Sequence, residues 1–308
     1  MAAQNRGMDE AASKVLTYLH DHAKADAHLI ETPGFPVVYG EVPGKTARTL
    51  SFYNHYDVQP EDPVDQWNVP PFADEIAAGK LIARGAADNK GNLVARIAAV
   101  HAYRKVYGEL PLTVKFIVEG EEEIGSPNLE DFVTNHRDLV QEDGCIWEFG
   151  YKNADGRMQV ILGVKGMLYV ELIAKGANTD LHSSNAAIVE NPAWRLIWAL
   201  QTIKDRDNRV LIPGFYDDVR NLEEADHQML EQFVFNEKET KELLEIDHFI
   251  NQLSGKELKE QLVFAPTCNI CGFASGYTDD VIKTVLPDEA TEKIDYRLVP
   301  DQDPHKIL

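Results

Sequence analysis

At 308 residues, with 44% hydrophobic side chains, the chain is long enough for two domains of roughly 100–200 residues each and apolar enough for packed cores. A formal charge of −21 argues against nucleic acid as a partner, because phosphate binding needs clustered Lys and Arg, and against an anionic membrane surface on the same ground. No apolar run approaches the ~20 residues of a spanning helix, the N-terminus carries no signal-peptide core, and three cysteines make no disulfide framework, so a cytoplasmic protein is expected.

Residues 8–24 have helical spacing, with Ala12, Val15, Leu16 and Leu19 on one face. Gly34-Phe35-Pro36 breaks the chain before Val37-Val38-Tyr39. Thr49-Leu50-Ser51-Phe52-Tyr53 is a compact apolar run that ends at His55, as a buried strand would. Residues 79–85 read as a short strand leading into a turn. A helix is predicted from about Lys90 to Val106, with small residues at Ala95, Ala98 and Ala99 for close packing. Residues 112–119 read as a strong strand, 128–140 as a helix and 144–148 as another strand. This alternation predicts an α/β unit, a mostly parallel sheet with helices on both faces. In such sheets ligands bind beyond the carboxyl ends of the strands, where His55, Glu122, Glu123 and Glu148 fall.

The pattern changes after about Gly163. Residues 167–174 read as a strand and 193–203 as an amphipathic helix. Residues 217–262 are acidic and helical, an insertion that covers a surface. Residues 266–272, 281–286 and 293–298 read as strands. The regular alternation is lost, so a smaller α+β domain is expected over 164–308, beside a first domain over 1–163. Cys268 and Cys271 form a C-x-x-C, but no further thiols or histidines stand nearby to complete a zinc site. A redox motif would open a helix, whereas this run reads as strand, so the cysteines are expected to be structural.

Chemistry concentrates in four groups: Asn54-His55-Tyr56-Asp57, Arg84-Gly85-Ala86-Ala87-Asp88-Asn89-Lys90-Gly91, Glu119-Gly120-Glu121-Glu122-Glu123-Ile124-Gly125-Ser126, and Trp147-Glu148. Each has a bland reading. His55 could bond to a backbone group, Asp88 could be a turn residue, and the glutamates could be a solvated charge run. That last reading weakens because the run directly follows the apolar Phe116-Ile117-Val118 and is stopped by Gly125-Ser126-Pro127. Carboxylates clustered at a sheet edge repel unless cations or protons compensate. Hard carboxylates with one imidazole suit zinc, or a neighbour such as manganese or cobalt. Two bridged cations can generate a hydroxide and polarise an amide carbonyl at neutral pH. A dinucleotide-binding protein is a weak rival, for want of a Gly-x-Gly-x-x-Gly turn after the first strand.

Taken together, these stretches resemble the co-catalytic zinc peptidases that include carnosinase-type dipeptidases, aminoacylases, glutamate carboxypeptidases and succinyl-diaminopimelate desuccinylases. The resemblance is carried by His55-Tyr56-Asp57-Val58-Gln59-Pro60, by the runs around Asp88 and Glu122, and by Asp180-Leu181-His182-Ser183, Lys283-Thr284-Val285-Leu286-Pro287 and Arg297-Leu298-Val299-Pro300. The first and last of these look most like the carnosinase-type dipeptidases.

The resemblance implies a catalytic domain followed by a lid or dimerisation domain, and two divalent metal ions, zinc before manganese or cobalt. It implies that His55 binds the first ion with Asp57 behind it, that Asp88 bridges both ions, that Glu148 completes the first site and that Glu123 binds the second. Glu122 is then the general base. His182 resembles a histidine that reaches the active site of a partner subunit in a homodimer and binds the oxyanion. Thr284 and Arg297 resemble residues that hold the substrate's terminal carboxylate. A cis peptide between Asp88 and Asn89 is implied as well. The expected reaction is hydrolysis of the amide bond of a dipeptide or an N-acyl amino acid by a metal-activated water, most like a cytosolic dipeptidase. An amino-acid deacylase is the alternative. The family takes a final metal-ligand histidine from a C-terminal segment, whereas this chain stops at Leu308 and His305 comes too early. A fragment of a longer chain and a shortened, non-catalytic product are the two readings of that difference.

Overall fold

The computed structural model describes residues 2–73, 75–77, 79–150, 152, 156–161 and 163–308. They divide into two compact units, Met1–Val160 and Ile161–Leu308.

In the first unit Met8–Tyr18 forms α1, because Met8, Ala12 and Val15 recur at helical spacing and are buried together. The helix runs on through a wider π-type turn, Leu19–Ala23, and ends where Lys24 takes a left-handed φ of 56°. There follow β1 (Asp26–Ile30), β2 (Val37–Val42), β3 (Thr49–His55), the short pair β4 (Ile76–Ala77) and β5 (Lys80–Leu81), α2 (Gly91–Tyr107), β6 (Thr113–Glu119), α3 (Leu129–Asn135), α4 (Arg137–Val140) and β7 (Gly144–Trp147).

The main sheet has the order β1-β2-β6-β3-β7. β3 pairs in parallel with β6 and β7, while β2 runs antiparallel to both β1 and β6. The sheet is therefore mixed, and its parallel part is confined to three strands. Strand–helix alternation predicts parallel pairing only where a helix makes the crossover. β1 and β2 are joined by a short turn with no helix between them, so they pair antiparallel at one edge. Helices cover both faces. Val38, Val42, Phe52, Phe116 and Val118 pack against α1 and α2, and Leu93 and Ile97 are their partners on α2. Val37, Tyr39, Tyr53 and Ile117, the alternate positions on the same strands, pack against Phe132 of α3 and beside Leu139 of α4. Ile97 is 1% exposed, so truncation to alanine would cost about 2–5 kcal/mol. Such a loss would loosen the helix that starts at the candidate site. The parallel strands all point their carboxyl ends the same way, at His55, Glu119 and Trp147.

The second unit contains β8 (Gly166–Lys175), β9 (Leu181–His182), α5 (Pro192–Ile203), α6 (Glu224–Gln232), α7 (Glu237–Leu244), α8 (Gly255–Phe264), β10 (Thr267–Ser275), β11 (Val285–Leu286), β12 (Glu289–Leu298) and α9 (Pro304–Ile307). Its sheet is antiparallel, in the order β10-β12-β8. Ile294, Tyr296 and Leu298 alternate along β12 into a core with Val210, Phe215 and Cys268. The strand expected over 281–286 shrinks to Val285–Leu286. Val281 and Ile282 are exposed, Ile282 at 97%, so their apolar character reflects no sheet face. The acidic stretch after 217 contains three helices, α6 to α8. All three cysteines are free. Cys268 is buried in the core, and Cys271 donates to Asp295 Oδ1 at 2.9 Å. No described helix is long and apolar enough to cross a membrane.

Candidate metal centre

His55, the last residue of β3, is fully buried. Its Nδ1 lies 3.2 Å from Asp57 Oδ1 and its Nε2 lies 2.9 Å from Asp88 Oδ1. Asp57 thus orients the ring and leaves Nε2 to face the other donors, the arrangement that outer carboxylates impose on metal-binding imidazoles. The second Asp57 oxygen accepts from the Glu123 backbone N–H at 3.0 Å. One buried carboxylate therefore holds both the imidazole and the glutamate loop. Burial pushes the His55 pKa down, but hydrogen bonding to Asp57 and the charges of Asp57 and Glu122 outweigh it and raise it to about 9.

Asp88 sits in the turn Ala86–Lys90 that leads into α2, and the Asp88–Asn89 peptide is cis, as the resemblance implied. The turn begins at Gly85 with a φ of 82°, and a Cβ there would stand 2.5 Å from Val58 Cγ1. Glycine is required for conformation and for space.

The glutamate run divides by function of position. Glu119, at the end of β6, is buried and accepts from the Tyr53 and Ser126 hydroxyls. Glu121 is buried too and accepts from Asn128 Nδ2 at 2.8 Å. Glu122 Oε2 lies 3.8 Å from His55 Nε2. Glu123 turns to Gln59, accepting from its N–H at 3.3 Å and its Nε2 at 2.9 Å. Glu148 follows β7 and brings Oε1 to 3.6 Å from His55 Nε2. Burial, then the nearby Glu148 charge, push the Glu122 carboxyl up to about 7. Burial first also raises the Glu148 carboxyl.

Two overlapping donor sets result: His55, Glu122 and Glu148, and His55, Asp88 and Glu123, with the ligand atoms of each set within 4.8 Å of one another. Glu148 Oε1 is buried with no hydrogen-bond partner. A carboxylate oxygen in that state needs a proton or a cation. Hard oxygens around one imidazole are the donor chemistry of a divalent ion, so the residues present fit a metal.

His55, Asp57, Asp88, Glu122, Glu123 and Glu148 are therefore brought together in the first unit. His182, Thr284 and Arg297 belong to the second. His182 pairs with Val285 across β9 and β11, and the Ser183 N–H donates to Thr284 O at 3.2 Å, so His182 and Thr284 are neighbours. His182 Nδ1 accepts from the Ser184 N–H at 3.2 Å, which leaves the proton of the neutral ring on Nε2. Arg297 is half-exposed at the other end of β12 from Glu289, with Nε 3.4 Å from Asp295 Oδ2. The structure does not bring it to His182 and Thr284.

Several supporting residues escaped the reading of motifs. Gln59 holds Glu123. The Lys90 ammonium is pushed toward neutrality by burial and opposed by the charges of Asp57, Glu123 and Asp88. Arg96 donates to Asn54 and Asn54 to Asn89, and both Arg96 and Asn89 donate to the Glu148 carbonyl. One signal was available for Arg96. It falls on the stripe of α2 that includes Leu93, Ile97 and Val100, where a cation needs a buried partner.

The profile of Peptidase family M20/M25/M40 matches residues 51–270. This chain belongs to that family. It is 31% identical over 292 residues to a beta-Ala-His dipeptidase of Rattus norvegicus, covering 92% of this chain and 58% of the relative. It is 27% identical to a Cys-Gly metallodipeptidase of Schizosaccharomyces pombe, covering 90% of this chain and 59% of the relative. The chain thus spans less than two thirds of the length of these curated relatives. The crystal structure of an M20 family metallo-carboxypeptidase from Sulfolobus solfataricus superposes with a TM-score of 0.93 at 42% identity, over 100% of this chain and 70% of that one. Membership of the M20/M25/M40 family accounts for the mixed sheet and its helices.

Proposed function

We propose that the protein is a metal-dependent hydrolase that cleaves the amide bond next to a C-terminal residue, with dipeptides as substrates. The observation that carries this is the His55, Glu122 and Glu148 set with its partnerless buried oxygen, in a family whose named relatives are dipeptidases and a metallo-carboxypeptidase. His55, Asp88 and Glu148 would hold one divalent ion, and Asp88 and Glu123 a second, zinc before manganese or cobalt. When bound, such ions acidify water and polarise a carbonyl. Glu122 accepts the proton of the attacking water and returns it to the leaving amine. Burial raises its carboxyl and bound cations would lower it, so that the two opposing influences set its proton affinity for both transfers. Asp57 keeps the His55 ring in register. His182, from the partner subunit of a homodimer built through the second unit, donates Nε2–H to the oxyanion. Thr284, beside His182, and the forked guanidinium of Arg297, at the far end of β12, would receive the substrate's carboxylate only from different subunits of that homodimer. The free cysteines suit a reducing, cytoplasmic setting.

Hydrolysis of beta-Ala-His, Cys-Gly and an N-acetyl amino acid, followed by amine release, tests the reading. Dipeptide turnover should be abolished by chelation and restored by Zn2+, Mn2+ or Co2+. Turnover of the N-acetyl amino acid alone would make the protein a deacylase. Dipeptide turnover that survives chelation would refute the metal mechanism.

A further inference from the structure

Behind the donor residues lies a closed ring of hydrogen bonds. Arg96, on α2, donates from NH1 to Asn54 Oδ1 at 2.6 Å and to Tyr53 O at 2.7 Å, and from NH2 to Glu148 O at 2.8 Å. Asn54 Nδ2 donates to Asn89 Oδ1. Asn89 Nδ2 closes the ring on Glu148 O at 3.1 Å. The Glu148 N–H also donates to Tyr53 O at 3.0 Å. Asn54 and Asn89 are both fully buried, so no solvent can stand in for these partners.

Besides α2, the ring touches three chain segments, and each of these carries a donor. Asn54 precedes His55, Asn89 follows Asp88, and Glu148 is itself the third. Glu148 has a φ of 44°, a left-handed conformation that a non-glycine residue holds only when its surroundings enforce it. Here Arg96 and Asn89 both donate to its carbonyl. Glu123 is held by a separate set, Gln59 and Asp57. Glu123 thus makes no bond to the ring, although Asp57 links it to His55.

We propose that Arg96 is a positioning residue which, through Asn54 and Asn89, sets the mutual placement of His55, Asp88 and Glu148 and so controls the affinity of the ion held with His55 and Glu148 more than that of its neighbour. The proposal rests on the metal reading above and adds to it an assignment of which ion the ring controls. Its reach is through the main chain, because every bond from Arg96 ends on a carbonyl or on the amide of a residue adjoining a donor. The planar fork spans these acceptors at once, which a single ammonium does not.

The test is a Co2+ titration of the 308-residue chain, read by visible absorption, with circular dichroism and thermal unfolding of each variant as a check of folding. Arg96→Met and Asn89→Ala should each weaken one ion by about 10–100-fold, the range for loss of an outer partner. That ion should be the one also lost in His55→Ala, whereas the ion lost in Glu123→Gln, which shares only Asp88 with the ring, should weaken less. Arg96→Lys, which keeps the charge and is the mildest change, should fall between wild type and Arg96→Met. A folded Arg96→Lys or Arg96→Met with both affinities within about twofold of wild type would overturn the proposal, as would equal weakening of both ions. If the wild-type chain takes up no Co2+, or His55→Ala changes nothing, the metal reading itself falls and this proposal falls with it.

Discussion

Replacing Glu122 with glutamine should make the chelator-treated protein more stable at pH 8 and remove the activity of the metal-loaded one. The Glu122 carboxyl is raised from the ordinary 4.5 to about 7 by burial and by the Glu148 charge. A carboxyl held above its unfolded value contributes most to stability below pH 4.5, and that contribution is lost as pH rises through about 7. The interval of 2.5 pH units, at ~1.36 kcal/mol each, sets a ceiling of about 3.4 kcal/mol. The side chain is 34% exposed, so solvent screening reduces the figure to roughly half, about 1.5 kcal/mol. Glutamine keeps the shape without the charge. Urea unfolding of both chains in EDTA should therefore give similar free energies at pH 5 and a variant more stable by about 1.5 kcal/mol at pH 8. Adding Zn2+ should reverse the order at pH 8, since a cation compensates the wild-type charge. A difference that stays constant from pH 5 to 8, or a variant no more stable at pH 8, would refute the assignment of a strained carboxyl at Glu122.

Other outcomes follow from the same geometry. In the metal-loaded protein Glu122→Gln should lower kcat by about 100-fold or more with metal content nearly intact, while Glu123→Gln should lose one ion by elemental analysis. A tenth or more of wild-type kcat in Glu122→Gln would remove it from the base's role. Mixing inactive Glu122→Gln and His182→Ala chains should restore part of the activity if His182 works across a homodimer. No recovery despite verified subunit exchange would place it elsewhere. In the second unit Arg220 donates to both Asp226 oxygens, at 2.6 and 3.0 Å, and holds that carboxyl down to about 2. The contribution is present above the ordinary 3.8 and lost as pH falls through about 2, so Arg220→Ala should lower Tm at pH 6 and leave it nearly unchanged at pH 1.5. An equal loss at both pH values would show that the pair acts through packing instead.

Where hydrophobic period and helical crossover coincide, the fold was legible. β3, α2 and β6 emerge within a residue or two of their expected limits, because each is a long run with one clear period. The antiparallel edge was not legible. Strand direction is fixed by partners and connections, and nothing in Val37-Val38-Tyr39 states which neighbour it will take. The run at 281–286 misled for a related reason: apolar residues there have no facing layer, and Ile282 stands in solvent. Local composition signals a capacity to pair, while pairing itself is a property of the whole sheet.

The site divides along the same line. The clustering of its side chains was legible because a carboxylate or imidazole at the end of an apolar strand has an unusual cost, which a cation or a proton would offset. Their supports carry no such mark. Asn54 beside a histidine, Asn89 in a turn and Arg96 in a helix are each ordinary in sequence. They become a unit only when β3, the Asp88 turn, α2 and the end of β7 meet, which brings residues as far apart as 54 and 148 into one ring. Chemistry that depends on one residue's type can thus be read from a motif. Geometry that depends on several segments at once is seen only in the fold, and here the ring ties the segments that carry His55, Asp88 and Glu148 to one another.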